Sequence, residues 1–203
     1  MCSISGIDIY FVLDESTSVG FSNYQLMKQF VYDTVNEFDI GPDDTQVGVI
    51  SFSSSPTPRF YLNTFHDKAA LLTAIDNLPY NSGGTNTADA LDLLRQQGYT
   101  STNGGRPLSQ AVPRIAVVIT DGQSNNPGAT VSAATSVHDE GITVFSVGVG
   151  SGFNNDELIA IASNPSFVST LSGFDTSQFE ALQTTISNEA CTSEYTYSCQ
   201  CSE

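Results

Sequence analysis

Residues 112–124 read VPRIAVVITDGQS, and this stretch decides the fold. From Ile115 to Ile119 it is apolar without alternation, and it ends in the polar group Thr120-Asp121-Gly122. A strand with one face in water alternates, whereas a run apolar on both faces belongs to a parallel sheet covered by helices on each side. The strand is expected over 112–120. A second run of this kind spans 142–149 (ITVFSVGV), behind a helix over 129–140 that Gly141 ends. Residues 7–13 (IDIYFVL) and 45–52 (TQVGVISF) read as further strands. Tyr24, Met27, Val31, Val35 and Phe38 recur at spacings of three and four, as on one face of a helix that Gly41-Pro42-Asp43-Asp44 breaks. Helices are also expected over 67–78, where Leu71, Ile75 and Leu78 share a face, and over 87–97 and 155–162. A short strand is expected at 167–170, and Phe179, Leu182, Ile186 and Ala190 mark a last helix. Residues 59–62 follow Pro56 and Pro58 and suit an edge strand. Strand and helix alternate throughout, so the expected class is α/β, doubly wound around a mostly parallel sheet with helices on both faces.

A length of 203 residues fits one domain with a substantial core. Residues 1–191 read as that domain, and 192–203 as a Cys-containing tail rich in Ser, Thr and Tyr. No apolar run approaches the ~18 residues of a membrane helix, so no membrane insertion is expected. Residues 1–5 lack the pattern of a signal peptide, and Met1 reads as a start added to a fragment. Six basic residues against 22 acidic ones give a formal charge of −16. Nucleic acid and anionic lipid both need Lys and Arg to replace counterions, so neither is an expected partner.

The four cysteines, Cys2, Cys191, Cys199 and Cys201, stand at the chain ends, which leaves a zinc site or catalytic thiol without support. A Cys2–Cys191 disulfide would staple the termini and fit an oxidising, extracellular setting. Three pairings are open, as is the unpaired state of a cytosolic protein.

The chemistry lies in the loops. Ligands of an open parallel sheet bind beyond the carboxyl ends of its strands. There the sequence places Asp14-Glu15-Ser16-Thr17-Ser18, Gly83-Gly84-Thr85 and Thr120-Asp121-Gly122. All offer hard oxygen donors and none offers sulfur or imidazole, which selects Mg²⁺, Ca²⁺ or Mn²⁺. With two nearby carboxylates, Asp14 and Asp121, a divalent cation keeps positive charge and favours an anionic ligand from outside. Each group alone also reads as an N-cap or an ordinary turn; the three together make the site. Catalysis is not expected. Neither His66 nor His138 stands beside these loops to serve a Ser nucleophile, there is no G-x-S-x-G, and the loops carry no Lys or Arg for phosphate.

These three loops resemble the metal-ion-dependent adhesion site of von Willebrand factor A domains. Gly105-Arg106-Pro107, residues 112–124 and residues 141–150 (GITVFSVGVG) resemble the matrilin, collagen and cochlin group of matrix A domains. The similarity runs from about Ile7 to Cys191. It implies one antiparallel edge strand, at 59–62, direct binding of the metal by Ser16, Ser18 and Thr85, and binding mainly through water by Asp14 and Asp121. Glu15, Gly84 and Gly122 are expected at the ligand-binding rim, with Glu15 replacing a more usual Gly or Ser and adding a carboxylate that competes with ligand or strengthens Ca²⁺ binding. Asn125-Asn126 replaces an acidic position of the matrix group. The implied function is a secreted adhesion module that recruits an acidic group of a matrix protein such as collagen or another matrix glycoprotein. The other reading left open is a structural assembly domain that associates through surface contacts and terminal cysteines, with oligomers formed through the tail or flanking modules. Tyr197-Ser198-Cys199-Gln200-Cys201 resembles part of an EGF-like module.

Overall fold

The computed structural model describes residues 6–173 together with Thr184 and Ile186. Strand β1 (Asp8–Asp14) lies at the centre of the molecule and is buried along its whole length. Ile9, Phe11 and Leu13 face one core, formed with α1 (Gly20–Asn36) and α2 (Lys68–Asp76). Tyr10 and Val12 face a second core beneath α3 (Thr87–Leu93), α4 (Pro127–Asp139) and α5 (Asn155–Ile161). This period of two, apolar on both faces, is why the strand reads as an unbroken hydrophobic run.

With β2 (Gln46–Phe52), β3 (Pro56–Phe60), β4 (Arg114–Gly122), β5 (Thr143–Gly152) and β6 (Val168–Leu171), it forms a six-stranded sheet in the order β3-β2-β1-β4-β5-β6. All pairings are parallel except β2 with β3, so the α/β class and the antiparallel edge strand are as expected. The sheet grows from β1 toward β2 on one side, and β4 then joins on the other, with Leu13 beside Ile119. That reversal opens a crevice between the carboxyl ends of β1 and β4.

The elements differ from expectation in three instructive places. Strand β3 begins at Pro56, not residue 59, and Pro56 and Pro58 lie opposite Phe52 and Ile50. An edge strand has a partner on one side only, so it tolerates residues without an N–H. The helix expected over 87–97 is α-helical only to Leu93 and continues as a wider π turn over Leu94–Gly98. That turn sets Gly98 against the Tyr10 ring, and the buried Tyr10 hydroxyl donates to the Gly98 carbonyl at 3.1 Å. Helix α4 starts two residues early, with Pro127 in its first turn and Asn126 Oδ1 accepting from the Ala129 N–H at 3.1 Å. Its end is as expected: Gly141 takes a left-handed φ of 73° that a side chain would strain. Of the last expected helix, Thr184 and Ile186 are helical and Ile186 is buried in the first core. Phe179, Leu182 and Ala190, the cysteines and the 192–203 tail lie outside the described residues.

The amino ends of the strands are tied by charge. Asp8, fully buried, accepts from Arg106 Nε at 2.9 Å, from the Arg106 N–H at 2.9 Å and from Gln46 Nε2 at 3.2 Å, and Arg106 Nη2 lies 2.7 Å from its Oδ1 as an ion-pair contact. At mid-sheet, a Cβ at Gly48 would collide with the Tyr10 ring, which its hydroxyl bond holds in place. Gly48→Ala is therefore expected to destabilise the domain by about 1–3 kcal/mol, the cost of overpacking a tight core. Urea unfolding followed by circular dichroism measures it; unchanged stability would mean the ring is free to move.

Candidate metal centre

The crevice is lined by three loops. The first follows β1, and its Asp14 is fully buried. Asp14 Oδ1 accepts from the Ser16 N–H at 2.8 Å and Oδ2 from the Thr120 hydroxyl on β4 at 2.6 Å. Ser16 Oγ lies 3.0 Å from Ser18 Oγ, and Ser18 Oγ donates to Asp121 Oδ1 at 2.8 Å. Asp14, Ser16, Ser18 and Asp121 thus form one continuous hydrogen-bonded chain across the switch point.

Thr85 joins through its backbone. Its carbonyl accepts from the Asn125 N–H at 2.8 Å, and its own N–H donates to Asn125 Oδ1 at 3.4 Å. Two residues earlier, the Gly83 carbonyl accepts from both the N–H and the hydroxyl of Thr17, at 3.0 and 3.1 Å. The second loop is therefore sewn to the first on one side and to the third on the other. Gly84 donates its N–H to Ser54 Oγ at 2.9 Å, and a Cβ at Gly122 would lie 3.7 Å from Ser18 Oγ.

Glu15 is not at the rim. Its side chain is 1% exposed and is engaged by Arg59 of β3 and by the Asn81 N–H. A carboxylate whose oxygens are already taken and sealed from water neither competes with a ligand nor adds free charge to the site, so that expectation is corrected. The sequence also gave no sign of Thr120 as the donor to Asp14, of Asn125 as the tie to Thr85, or of Tyr80, whose hydroxyl donates to the Ser16 carbonyl at 2.9 Å. All three act through contacts more than 35 residues away along the chain. The isolated Arg59 in an acid-rich sequence was the available signal for the ion pair. His138 stands near the far end of α4, its ring bonded to the Ile161 carbonyl at 2.9 Å.

The electrostatics suit a cation. Burial pushes the Asp14 carboxyl up to about 6, against the Thr120 and Ser16 donors that pull it down, and the charge of Asp121 adds to the rise. Burial raises Asp121 as well. Two carboxylates, Asp14 buried and Asp121 half-buried, share this crevice, and their bonded neighbours are hydroxyls and amides that carry no positive charge. The donor set is all oxygen, which fits Mg²⁺, Mn²⁺ or Ca²⁺. Among the described residues no cluster of three or more His, Cys, Asp or Glu forms a metal site of another kind.

Comparison with known proteins agrees with this architecture. Residues 8–188 match the family model of the von Willebrand factor type A domain. The chain belongs to that family. As a von Willebrand factor A domain it is 38% identical to the collagen alpha-4(VI) chain of Mus musculus, over 88% of this chain and 7% of that one. It is 33% identical to Matrilin-2 of Mus musculus, over 94% of this chain and 20% of that one. The domain thus spans a fifth or less of these two relatives. Among solved structures it superposes with a TM-score of 0.81 and 33% identity on proximal thread matrix protein 1 from the mussel byssus, solved with a zinc-occupied MIDAS motif. That match covers 94% of this chain and 47% of the other.

Thr120→Val removes the donor to Asp14 Oδ2 while keeping the side chain's shape. A lost bond to a buried charged group is expected to cost about 1.5–3 kcal/mol. Denaturant unfolding at pH 7 with chelator present measures this, with Thr120→Ser expected close to the parent.

Proposed function

We propose that this domain is a non-enzymatic adhesion module of the extracellular matrix. It coordinates one divalent cation through Asp14, Ser16, Ser18, Thr85 and Asp121 and uses it to capture an acidic group of a matrix protein. The observation that carries this reading is the chain of bonds from Asp14 through Ser16 and Ser18 to Asp121, closed at the switch point of the sheet. The hydroxyls of Ser16, Ser18 and Thr85 are the direct ligands, and Asp14 and Asp121 act mainly through water. Asp14 is suited to that role because Thr120 and the Ser16 N–H already occupy its oxygens. A bound cation supplies a coordination position open to an external carboxylate.

The occupied MIDAS motif of the byssus protein supports a metal at the corresponding place, and zinc there puts Zn²⁺ beside Mg²⁺, Ca²⁺ and Mn²⁺ among the ions to be tried. Relatives named as collagens and matrilins support a secreted matrix setting and a partner such as collagen or another matrix glycoprotein. Electrostatics disfavour nucleic acid and anionic membranes. Each of the six basic side chains is already engaged by a protein acceptor: Lys28 by the Asp76 carbonyl, Arg59 by Glu15, Lys68 by the Asn36 carbonyl, Arg95 by Glu140, Arg106 by Asp8 and Arg114 by the Arg106 carbonyl. No helix among the described residues is long and apolar enough to cross a membrane.

Isothermal titration with Mg²⁺ is expected to give one site, which Thr85→Ala and Asp121→Ala each abolish. Binding to collagen- and matrix-coated surfaces is expected to vanish in EDTA and return with Mg²⁺. Binding that EDTA leaves unchanged would instead favour assembly through surface contacts and terminal cysteines.

A further inference from the structure

Glu15 stands between two proposed metal ligands, yet its carboxylate serves the scaffold. Buried carboxylates need a partner, and Arg59 of β3 supplies it: Nη2 donates to Oε1 at 2.7 Å and to Oε2 at 2.9 Å. Arg59 is itself only 11% exposed, and its Nε donates to Ser51 Oγ on β2. Glu15 Oε2 also accepts from the Asn81 N–H at 3.0 Å. A single carboxylate therefore joins the edge strand, the loop bearing Ser16 and Ser18, and the segment leading into Thr85.

Other bonds close the same seam, from Thr17 to the Gly83 carbonyl and from the Tyr80 hydroxyl to the Ser16 carbonyl. Across it, Ser16 and Ser18 lie on one side and Thr85 on the other. Metal–ligand distances tolerate only ~0.2 Å, so a small shift along this seam is enough to spoil coordination.

We propose that Arg59 is a positioning residue for divalent-cation capture. It holds Glu15 as a charge-balanced clasp that sets the separation of the Ser16–Ser18 loop from the Thr85 loop. The pairing also keeps the Glu15 charge away from the cation. This inference rests on the reading above that the crevice takes a divalent cation.

The test is Mg²⁺ titration calorimetry on the full chain for the parent, Arg59→Met, Glu15→Gln and the double variant, with folding verified by circular dichroism at the titration temperature. Partners behind metal ligands typically change affinity by 10–100-fold, so folded Arg59→Met is expected to bind Mg²⁺ roughly tenfold or more weakly. The double variant, which has no buried charge left to compensate and keeps an acceptor for the Asn81 N–H, is expected to regain part of that loss. A folded Arg59→Met with parental affinity overturns the proposal. A double variant as weak as Arg59→Met overturns the clasp and assigns the effect to Ser51. If Arg59→Met does not fold, Glu15→Gln decides: weakened Mg²⁺ binding supports the clasp, and parental affinity overturns it. A parent that binds no Mg²⁺ removes the metal reading itself, a result distinct from a parent that binds and an Arg59 variant that binds equally well.

Discussion

Asp14 ends the central strand with a carboxylate that water does not reach, and the top of the sheet is arranged around it. Its two oxygens are held by donors from different elements, the Ser16 N–H in its own loop and the Thr120 hydroxyl on the adjacent strand β4. That pair of bonds fixes the ends of β1 and β4 relative to each other where the strand order reverses. Ser18 and Asp121 then meet across the crevice, and Asn125 brings Thr85 in from the third side. A doubly wound sheet supplies the crevice, and the buried carboxylate supplies negative charge to the proposed cation site.

Charge is used economically throughout the molecule. Twenty-two acidic residues outnumber six basic ones, and each of the six basic side chains is engaged by an acceptor of the chain itself. Two of them neutralise buried carboxylates at opposite ends of the sheet, Arg106 at Asp8 and Arg59 at Glu15. Asp14 and Asp121 have hydroxyl and amide donors but no such cationic partner, and burial raises both. Asp8 and Glu15, each paired with an arginine, brace the scaffold, whereas Asp14 and Asp121 line the proposed metal site.

Much of this was legible in the sequence because its causes are local. Apolar runs such as residues 115–119 report burial on both faces, and periods of three and four report helix faces, so the order of strands and helices and the α/β class could be read directly. The oxygen-rich loops could be read because each is short and contiguous. What escaped depends on distant contacts. Glu15 reads as a rim carboxylate until Arg59, 44 residues away, is seen to bind it. The π turn after α3 depends on Tyr10, 88 residues from Gly98, and the start of β3 depends on its edge position, which tolerates two prolines.

In the proposed site the hydroxyls of Ser16, Ser18 and Thr85 close on one divalent cation between Asp14 and Asp121. A crystal structure of the chain grown with Mn²⁺ tests this most directly, through the anomalous scattering of that ion. A single strong anomalous peak is expected in the crevice between β1 and β4, in contact with those three hydroxyl oxygens, with one coordination position held by water or a foreign carboxylate. An empty crevice at saturating Mn²⁺, or a peak bound elsewhere on the acidic surface, would contradict it.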